Sequence, residues 1–283
     1  GHDYVKAQAT EAADVDDSAY YDGAQTDWAT ERLATLAAGE QPFFLAVGYY
    51  RPHLPFNAPT KYWDLYDPDT LPLPSTEPTQ NAPTVALNRM RELRGYADCT
   101  SIPDAPATLP EAQRRKLYHG YLASVSYIDA QVGRLLDRLD ALELNDNTIV
   151  VLWSDHGWKL GEHGSFGKMT NYEDDTRVPL LVRTPGGASG AVVGGLVELV
   201  DVFPTLCTLC GVDLPRNGDQ RAGQSFASLL RTPTRPGKEA ARSIYLRSGI
   251  WLRSGSAPSH KTKGKHLPYG RSREAKRACA GVS

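Results

Sequence analysis

The sequence predicts an α/β fold, with a parallel or mixed sheet that carries helices on both faces. Two apolar runs without alternation, residues 42–50 and 147–153, are typical of strands that are buried on both faces of a sheet. A third apolar run, residues 178–182, follows at strand length. A long amphipathic segment, residues 111–144, separates the first two runs. This alternation of strands and helices favours a parallel or mixed sheet.

The length, composition and net charge of the chain indicate its domain organisation and the kinds of partner to expect. The chain has 283 residues, 41% hydrophobic content and a net charge of −2. We expect one large domain with a small appendage. A net charge near zero indicates neither a nucleic-acid partner nor a membrane surface. No apolar run approaches the roughly 20 residues that span a bilayer, so no membrane span is expected.

The first fifty-six residues predict one helix and one strand. Residues 1–24 are polar and acidic, and we expect a loop or mobile start there. A helix is expected over residues 26–38, ending at Gly39. The apolar run 42–50 predicts a buried strand, and the prolines of residues 51–56 predict a stiff loop after it.

In the middle of the chain, the sequence predicts a long loop followed by the helix with the clearest apolar periodicity. Residues 57–110 hold nine of the twenty prolines, so we expect a surface excursion with short helices near residues 60–66 and 85–96. Helix-spaced apolar residues then predict a helix over residues 111–144. The apolar positions are Tyr118, Leu122, Val125, Ile128, Val132, Leu135, Leu139 and Leu142.

Two cysteines lie on a further apolar helical segment, residues 199–211. Cys207 and Cys210 have the spacing of a metal or redox pair. Zinc needs two further ligands at suitable spacing, and the sequence offers none that stands out. We therefore interpret both cysteines as small hydrophobic residues on a packed helix that ends at Gly211.

The end of the chain differs in composition. Residues 251–283 carry eight Lys and Arg and one acidic residue, with neither helix nor strand periodicity, which predicts a disordered basic tail. We expect residues 1–235 to belong to an α/β domain, and residues 236–283 to hold the start of a subdomain and the tail. One alternative is a non-catalytic chain whose basic tail binds a sulfated glycan.

The loop after the strand 147–153 carries the residues most suited to chemistry. Asp155 and His156 follow the strand directly, where a carboxylate and an imidazole can face one metal ion. Lys168 lies in a glycine-flanked part of the same loop and suits an oxyanion as a point charge. The alternatives are a turn with a capping Asp and a solvated surface lysine.

Two more histidines are candidates. His53 lies between two prolines after the strand 42–50 and could act as a general acid toward a leaving oxygen, although a single loop histidine is often incidental. His163, within Gly161-Glu162-His163-Gly164, could line the pocket or simply hold the loop.

Four separated segments resemble the sulfatase family of the alkaline phosphatase superfamily, and within it the iduronate-2-sulfatase-like subgroup with its bacterial members. They are residues 42–56 (PFFLAVGYYRPHLPF), 121–135 (YLASVSYIDAQVGRL), 154–168 (SDHGWKLGEHGSFGK) and 177–181 (RVPLL). The resemblance runs from about residue 11 to residue 250. It implies an α/β/α sandwich and calcium-assisted hydrolysis of a sulfate ester, with a sulfated carbohydrate as substrate.

The resemblance also implies roles for individual residues. Asp155 and His156 match two ligands of the family's calcium ion. Lys168 matches the lysine that contacts the sulfate, and His53 matches the histidine that protonates the leaving alcohol. Trp158 lies where the subgroup shapes its substrate pocket. A cation and a lysine would neutralise the sulfate while an acid assists departure of the alcohol.

The chain also departs from the family pattern. Sulfatases carry a Cys/Ser-x-Pro-x-Arg motif whose first residue becomes the formylglycine nucleophile, and no such motif occurs in the 283 residues. The acidic pair that supplies the first two calcium ligands is also missing. We therefore expect an N-terminally incomplete sulfatase that is inactive alone. For the full-length protein the resemblance implies a periplasmic or secreted location. The alternative reaction is that of a phosphodiesterase or phosphonate hydrolase of the same superfamily.

Overall fold

The computed structural model describes most of the chain. The described residues are 7–87, 89–214, 223–232, 244–247 and 250–253. They all lie in one compact unit that spans Gly1–Arg253. The disordered basic tail was predicted over residues 251–283, and its residues 254–283 lie outside the described residues. The boundary predicted between residues 235 and 236 lies outside them too and stays a prediction.

Helices and strands alternate along the described residues. The helices are α1 (Tyr21–Ala37), α2 (Thr60–Trp63), α3 (Glu111–Ala141), α4 (Glu173–Thr176), α5 (Val202–Cys210) and α6 (Ala227–Arg231). The strands are β1 (Thr10–Ala13), β2 (Phe56–Pro59), β3 (Val150–Trp153), β4 (Lys159–Leu160), β5 (Phe166–Gly167), β6 (Leu180–Arg183), β7 (Ile244–Arg247) and β8 (Ile250–Arg253). The α/β class predicted from the sequence is confirmed by this order.

The strands of the described residues pair two by two. β1 and β2 are parallel, with Thr10 opposite Phe56. β3 and β6 are antiparallel, with Val150 opposite Arg183. β4 pairs with β5, and β7 with β8, both antiparallel. The described strands therefore form four separate two-stranded sheets, one parallel and three antiparallel, rather than the single parallel or mixed sheet that was expected.

Structure begins earlier than the sequence predicted. The loop expected over residues 1–24 contains β1 and the first turn of α1, which starts at Tyr21 rather than Thr26. The backbone N–H of Gly23 donates to the Tyr127 hydroxyl (2.6 Å), which in turn donates to the carbonyl of Asp17 (2.9 Å). These contacts join residues about a hundred positions apart, so local periodicity could not indicate this helix start.

The strand expected at residues 42–50 does not form. The segment is not paired with any strand among the described residues, and its side chains alternate between half-buried and exposed. Phe44 is 81% exposed and Tyr50 63% exposed. The prediction of a strand buried on both faces was therefore wrong. A strand needs a hydrogen-bonded neighbour, and the described part of the chain places none beside this segment.

The strand before the Asp-His loop is also less buried than expected. β3 covers Val150–Trp153 within the predicted run, but Leu152 is 40% exposed and Trp153 is 47% exposed. β3 pairs with β6, and no other described strand pairs with it. The apolar residues of this strand therefore remain partly in contact with solvent.

The long helix α3 begins at Glu111 as predicted and ends at Ala141, three residues before the predicted end. Its buried face differs from the predicted one, because Val125 is 39% exposed. The buried residues are Leu117, Gly120, Ala123, Ser124, Tyr127, Gln131 and Leu139. The helix therefore buries small and polar residues, which apolar periodicity does not detect, against α1, β2 and α2.

The proline-rich segment 57–110 takes part in the core. Short 3₁₀-helices at Thr84–Ala86, Leu93–Gly95 and Ala97–Cys99 agree with the short helices predicted there. The segment is more than a surface excursion, since several of its apolar side chains are almost fully buried. These are Met90, Leu93, Cys99, Ile102 and Leu109, which cluster with Phe56, Leu117 and Phe166.

The later elements bring two corrections. α5 ends at Gly211 in the left-handed conformation (φ 66°), as predicted. Cys207 is half-buried but Cys210 is exposed, so the packed position expected for Cys210 was wrong. Residues 251–253, which the sequence assigned to the unpatterned tail, belong to β8 because they pair with β7. No helix among the described residues is long and apolar enough to span a membrane.

Candidate active site

A buried carboxylate on α1 fixes the backbone just before His53. Asp22 is 2% exposed, and its two oxygens accept the backbone N–H groups of Tyr50 (2.7 Å) and Arg51 (3.1 Å). Burial raises the pKa of Asp22, and these two hydrogen bonds oppose that rise. The His53 N–H then closes a turn onto the Tyr50 carbonyl (2.9 Å). These bonds fasten the backbone that leads into His53 to helix α1.

The second loop, residues 154–176, is organised around a buried ion pair. Lys159 is fully buried, and its ammonium contacts the Asp175 carboxylate. Asp175 also accepts the N–H (2.7 Å) and the hydroxyl (2.6 Å) of Thr170. The Asp175 carbonyl accepts the Gly157 N–H (2.8 Å). These bonds tie both ends of the loop together around Lys168.

His163 uses both ring nitrogens within the protein. Nδ1 lies 2.8 Å from the Thr79 hydroxyl and Nε2 lies 3.0 Å from Asp174. The ring also stacks on Tyr172, with centroids 4.1 Å apart. Its role as a substrate contact stays a prediction, and these contacts favour the alternative that it holds the loop.

Three aromatic rings from the two loops meet in one place. The His53 and Trp158 centroids are 5.3 Å apart, and the His53 and His156 centroids are 6.4 Å apart. Lys168 Nζ lies 4.8 Å from the centre of the Trp158 ring. Trp158 also packs edge-on against Phe56 of β2. Four of the residues singled out from the sequence are therefore neighbours, with Trp158 in contact with each of the other three.

Glu92 joins this group from the proline-rich segment. Its Oε1 lies 2.6 Å from His53 Nε2 and accepts from Lys168 Nζ at 3.1 Å. Lys168 Nζ is also in direct contact with His53 Nε2. Sequence reasoning missed Glu92, and the only signal was a single acid within the run Arg89-Met90-Arg91-Glu92-Leu93-Arg94. Nothing in that pattern indicates a contact with residues 53 and 168.

The charges of this group are coupled. The hydrogen bond with the Glu92 carboxylate raises the pKa of His53, while burial opposes that rise. The hydrogen bond from His53, followed by that from Lys168, lowers the pKa of Glu92 to about 2. His53 Nδ1 lies 2.8 Å from the Leu54 carbonyl, so Nδ1 carries a proton and Nε2 faces the site. The site therefore presents two basic groups around one carboxylate.

Asp155 and His156, the two metal ligands predicted from the sequence, lie side by side at the end of β3. The Asp155 side chain is 83% exposed, and its Oδ2 lies 3.7 Å from His156 Nε2. His156 Nδ1 lies 2.8 Å from the Gly157 carbonyl and must donate to it, which leaves Nε2 as the ligand atom. No group of three or more His, Cys, Asp or Glu side chains within the described ranges could hold a metal ion. Asp155 Oδ2 and His156 Nε2 therefore lie together as candidate ligand atoms, and their role as metal ligands stays a prediction.

Comparison with known proteins identifies the family. The family model described as "Sulfatase" matches residues 1–212. The chain belongs to the sulfatase family. Iduronate 2-sulfatase of Mus musculus is 37% identical over 235 residues, which is 72% of this chain and 42% of that relative. A sulfatase of Formosa agariphila is 35% identical over 188 residues, covering 66% of this chain and 35% of its own length. The family resemblance seen in the sequence is confirmed.

Solved structures show the same fold. A phosphonate monoester hydrolase from Silicibacter pomeroyi superposes with a TM-score of 0.66 and 29% identity, over 82% of this chain and 45% of that one. A structure in complex with its substrate D-glucosamine-2-N,6-O-disulfate gives 0.64 with 21% identity, over 80% and 56% of the two chains. At that identity the second match shows the fold alone. The predicted sulfatase/alkaline phosphatase type of fold is confirmed in the part that the chain covers.

This chain matches only part of the length of its curated relatives. The chain spans about two-fifths of the length of the curated iduronate 2-sulfatases that it matches. By family it is a sulfatase, and the curated relatives that it matches carry names of sulfatase enzymes. Which bond is cleaved, and which groups complete the site, are therefore matters for proposal.

Proposed function

We propose that this chain carries the sulfate-binding and leaving-group side of a sulfuric ester hydrolase. The observation that supports this most strongly is the contact between His53 and Lys168, which come from loops 115 residues apart. Both loops are held by buried carboxylates, Asp22 and Asp175. Family membership gives the reaction class that such a pair would serve.

Each residue of the site has a distinct proposed role. Lys168 would contact a sulfate oxygen as a point charge, and His53 would give a proton to the departing alcohol. Trp158 would form one wall of the substrate pocket, since it packs against both residues. The substrate class we propose is a sulfated carbohydrate, and the periplasmic or secreted location remains part of this proposal.

Asp155 and His156 would hold calcium. The exposed carboxylate offers a hard oxygen, and the imidazole offers a nitrogen whose direction the Gly157 carbonyl fixes. Calcium bound there would supply positive charge beside the sulfate. The chain holds no Cys/Ser-x-Pro-x-Arg pattern, so the formylglycine nucleophile would have to come from outside it. The further calcium ligands would also have to be supplied by groups other than Asp155 and His156. We therefore propose that the chain alone binds sulfate esters without turning them over.

Calorimetric titration with 4-nitrophenyl sulfate in calcium-containing buffer tests this proposal. Lys168→Ala and His53→Ala should each weaken binding at least tenfold. Lys116→Ala is the matched control, because Lys116 is an exposed lysine paired with Asp98. Equal affinities in the Lys168 and Lys116 variants would rule out the proposed sulfate contact, and turnover by the chain alone would rule out the proposed need for an external nucleophile.

A second reaction has a specific observation in its favour. The likeness to a phosphonate monoester hydrolase reaches 29% identity with a TM-score of 0.66. A monoanionic aryl phosphonate ester carries the same charge as 4-nitrophenyl sulfate, so the same titration compares the two ligands directly. Tighter binding of the sulfate ester supports the sulfatase, and tighter binding of the phosphonate ester supports the second reaction.

A further inference from the structure

His53 has no ring nitrogen left for a substrate. Its Nδ1 donates to the Leu54 carbonyl at 2.8 Å, and its Nε2 lies 2.6 Å from Glu92 Oε1. Whichever of the two atoms holds the shared proton, Nε2 is engaged by Glu92. A leaving oxygen needs that same nitrogen, because a general acid must lie within hydrogen-bond reach of the atom that it protonates.

Lys168 is engaged by the same carboxylate oxygen. Glu92 Oε1 accepts from Lys168 Nζ at 3.1 Å while it contacts His53. A single oxygen therefore bridges the two basic residues that we assign to the sulfate ester. Oxygen between two cationic donors is also the arrangement that a bound sulfate would adopt.

We propose that Glu92 is an internal anion that occupies the sulfate position between His53 and Lys168, and that the substrate sulfate displaces it. This inference depends on the proposed function, because it takes these two residues as the sulfate contacts. Glu92 then lowers the affinity for weak anions and leaves only well-placed sulfate esters able to open the site.

The surroundings of Glu92 allow a side-chain movement without a backbone movement. Its neighbours Met90 and Leu93 are 1% and 3% exposed, so the backbone on both sides is anchored in the core. The Glu92 side chain itself is 36% exposed. Rotation about its side-chain bonds can therefore carry the carboxylate from the two basic groups into solvent.

Sulfate binding by Glu92→Gln tests the displacement. Titration of the full chain with inorganic sulfate, at constant ionic strength, should show at least tenfold tighter binding in Glu92→Gln than in the wild type. The control is Glu77→Gln, which removes the same charge from an exposed position of the same proline-rich segment and should change nothing. Binding in Glu92→Gln that is equal to or weaker than in the wild type would overturn the inference.

Two further measurements separate this inference from the proposed function. Adding Lys168→Ala to Glu92→Gln should remove the gain in sulfate affinity. If Lys168→Ala loses sulfate binding but Glu92→Gln shows no gain in sulfate affinity, the displacement of Glu92 is overturned. The proposed function is then still supported. In the wild-type chain, which needs no variant to fold, the side-chain carboxyl resonance of Glu92 should shift as sulfate is added. No shift at saturating sulfate would overturn the inference as well.

Discussion

Lys159 and Asp175 form a fully buried ion pair beneath the loop that carries Lys168. Lys159 has no exposed side-chain surface and Asp175 has 3%. Burial lowers the pKa of Lys159, and the hydrogen bond that Lys159 donates to Asp175 opposes that fall. Thr170 completes the hydrogen bonding, since its hydroxyl lies 3.0 Å from Lys159 Nζ. The pair thus joins two parts of the loop that lie on either side of Lys168 in the sequence.

Removing one partner of this pair should destabilise the protein strongly. Lys159→Met leaves the Asp175 carboxylate buried without its cation, and we expect a loss of about 3 kcal/mol in the free energy of unfolding. Urea denaturation measures this value. Lys116→Met, which breaks an exposed pair with Asp98, should change it by less than about 1 kcal/mol. Similar losses in both variants would show that the buried pair does not organise the loop.

Two glycines of helix α3 should respond to alanine in opposite directions. A Cβ on Gly120 would lie 2.8 Å from the Trp63 ring and 3.0 Å from Phe56 Cβ, whereas one on Gly133 meets nothing within 4 Å. Gly120→Ala should therefore destabilise by about 1–3 kcal/mol. Gly133→Ala should stabilise by about 0.5–1 kcal/mol, because alanine is the better helix former. Thermal unfolding of the two variants compares them directly, and a stabilising Gly120→Ala would contradict the packing described.

The Glu92 and His53 interaction should stabilise the fold over a limited pH range. The pKa of Glu92 falls from 4.5 to about 2, so its contribution is present above pH 4.5 and is lost as the pH falls toward 2. The pKa of His53 is raised from 6.5, so its contribution is present below pH 6.5 and is lost as the pH rises through the raised value. The difference in melting temperature between wild type and Glu92→Gln should therefore be greatest between pH 4.5 and 6.5. A difference that does not vary with pH would exclude this charge pairing.

The extended segment 42–50 should make the isolated chain prone to self-association. Phe44 and Tyr50 are 81% and 63% exposed, and the backbone between them lacks a strand partner among the described residues. Unpaired extended backbone with exposed apolar side chains favours edge-to-edge association. Phe44→Ser should increase the monomeric fraction in sedimentation velocity, whereas Val15→Ser, at an exposed position outside the segment, should not. A sharp cooperative melt of monomeric wild-type protein would contradict the expectation.

The parts of the fold that depend on local pattern were predictable. Helix α3 follows from its apolar spacing, and Gly211 ends α5 as its sequence position indicates. The start of α1 was not predictable, because Tyr127 determines it from about a hundred residues away. The strand expected at residues 42–50 failed for a related reason, since a strand depends on its neighbour as well as on its own apolar residues.

The sequence motifs of the site could be predicted, but the contacts between its residues could not. Asp155, His156 and Lys168 stand in one loop after a strand, so their place in the same loop was evident from the sequence. The contact of Lys168 with His53 required the fold, because Asp22 directs one loop and Asp175 the other. Glu92 could not be found in advance, since its segment has no pattern that relates it to either loop.

Nitrogen NMR of the chain during titration with 4-nitrophenyl sulfate tests the central claim most directly. His53 Nε2 and Lys168 Nζ should shift together and saturate at the same ligand concentration, because one sulfate ester contacts both. The His119 ring, which lies 2.8 Å from the Trp63 carbonyl, should not shift. Saturable binding of the ester that leaves the resonances of His53 and Lys168 unchanged would contradict the claim that these two residues form the sulfate site.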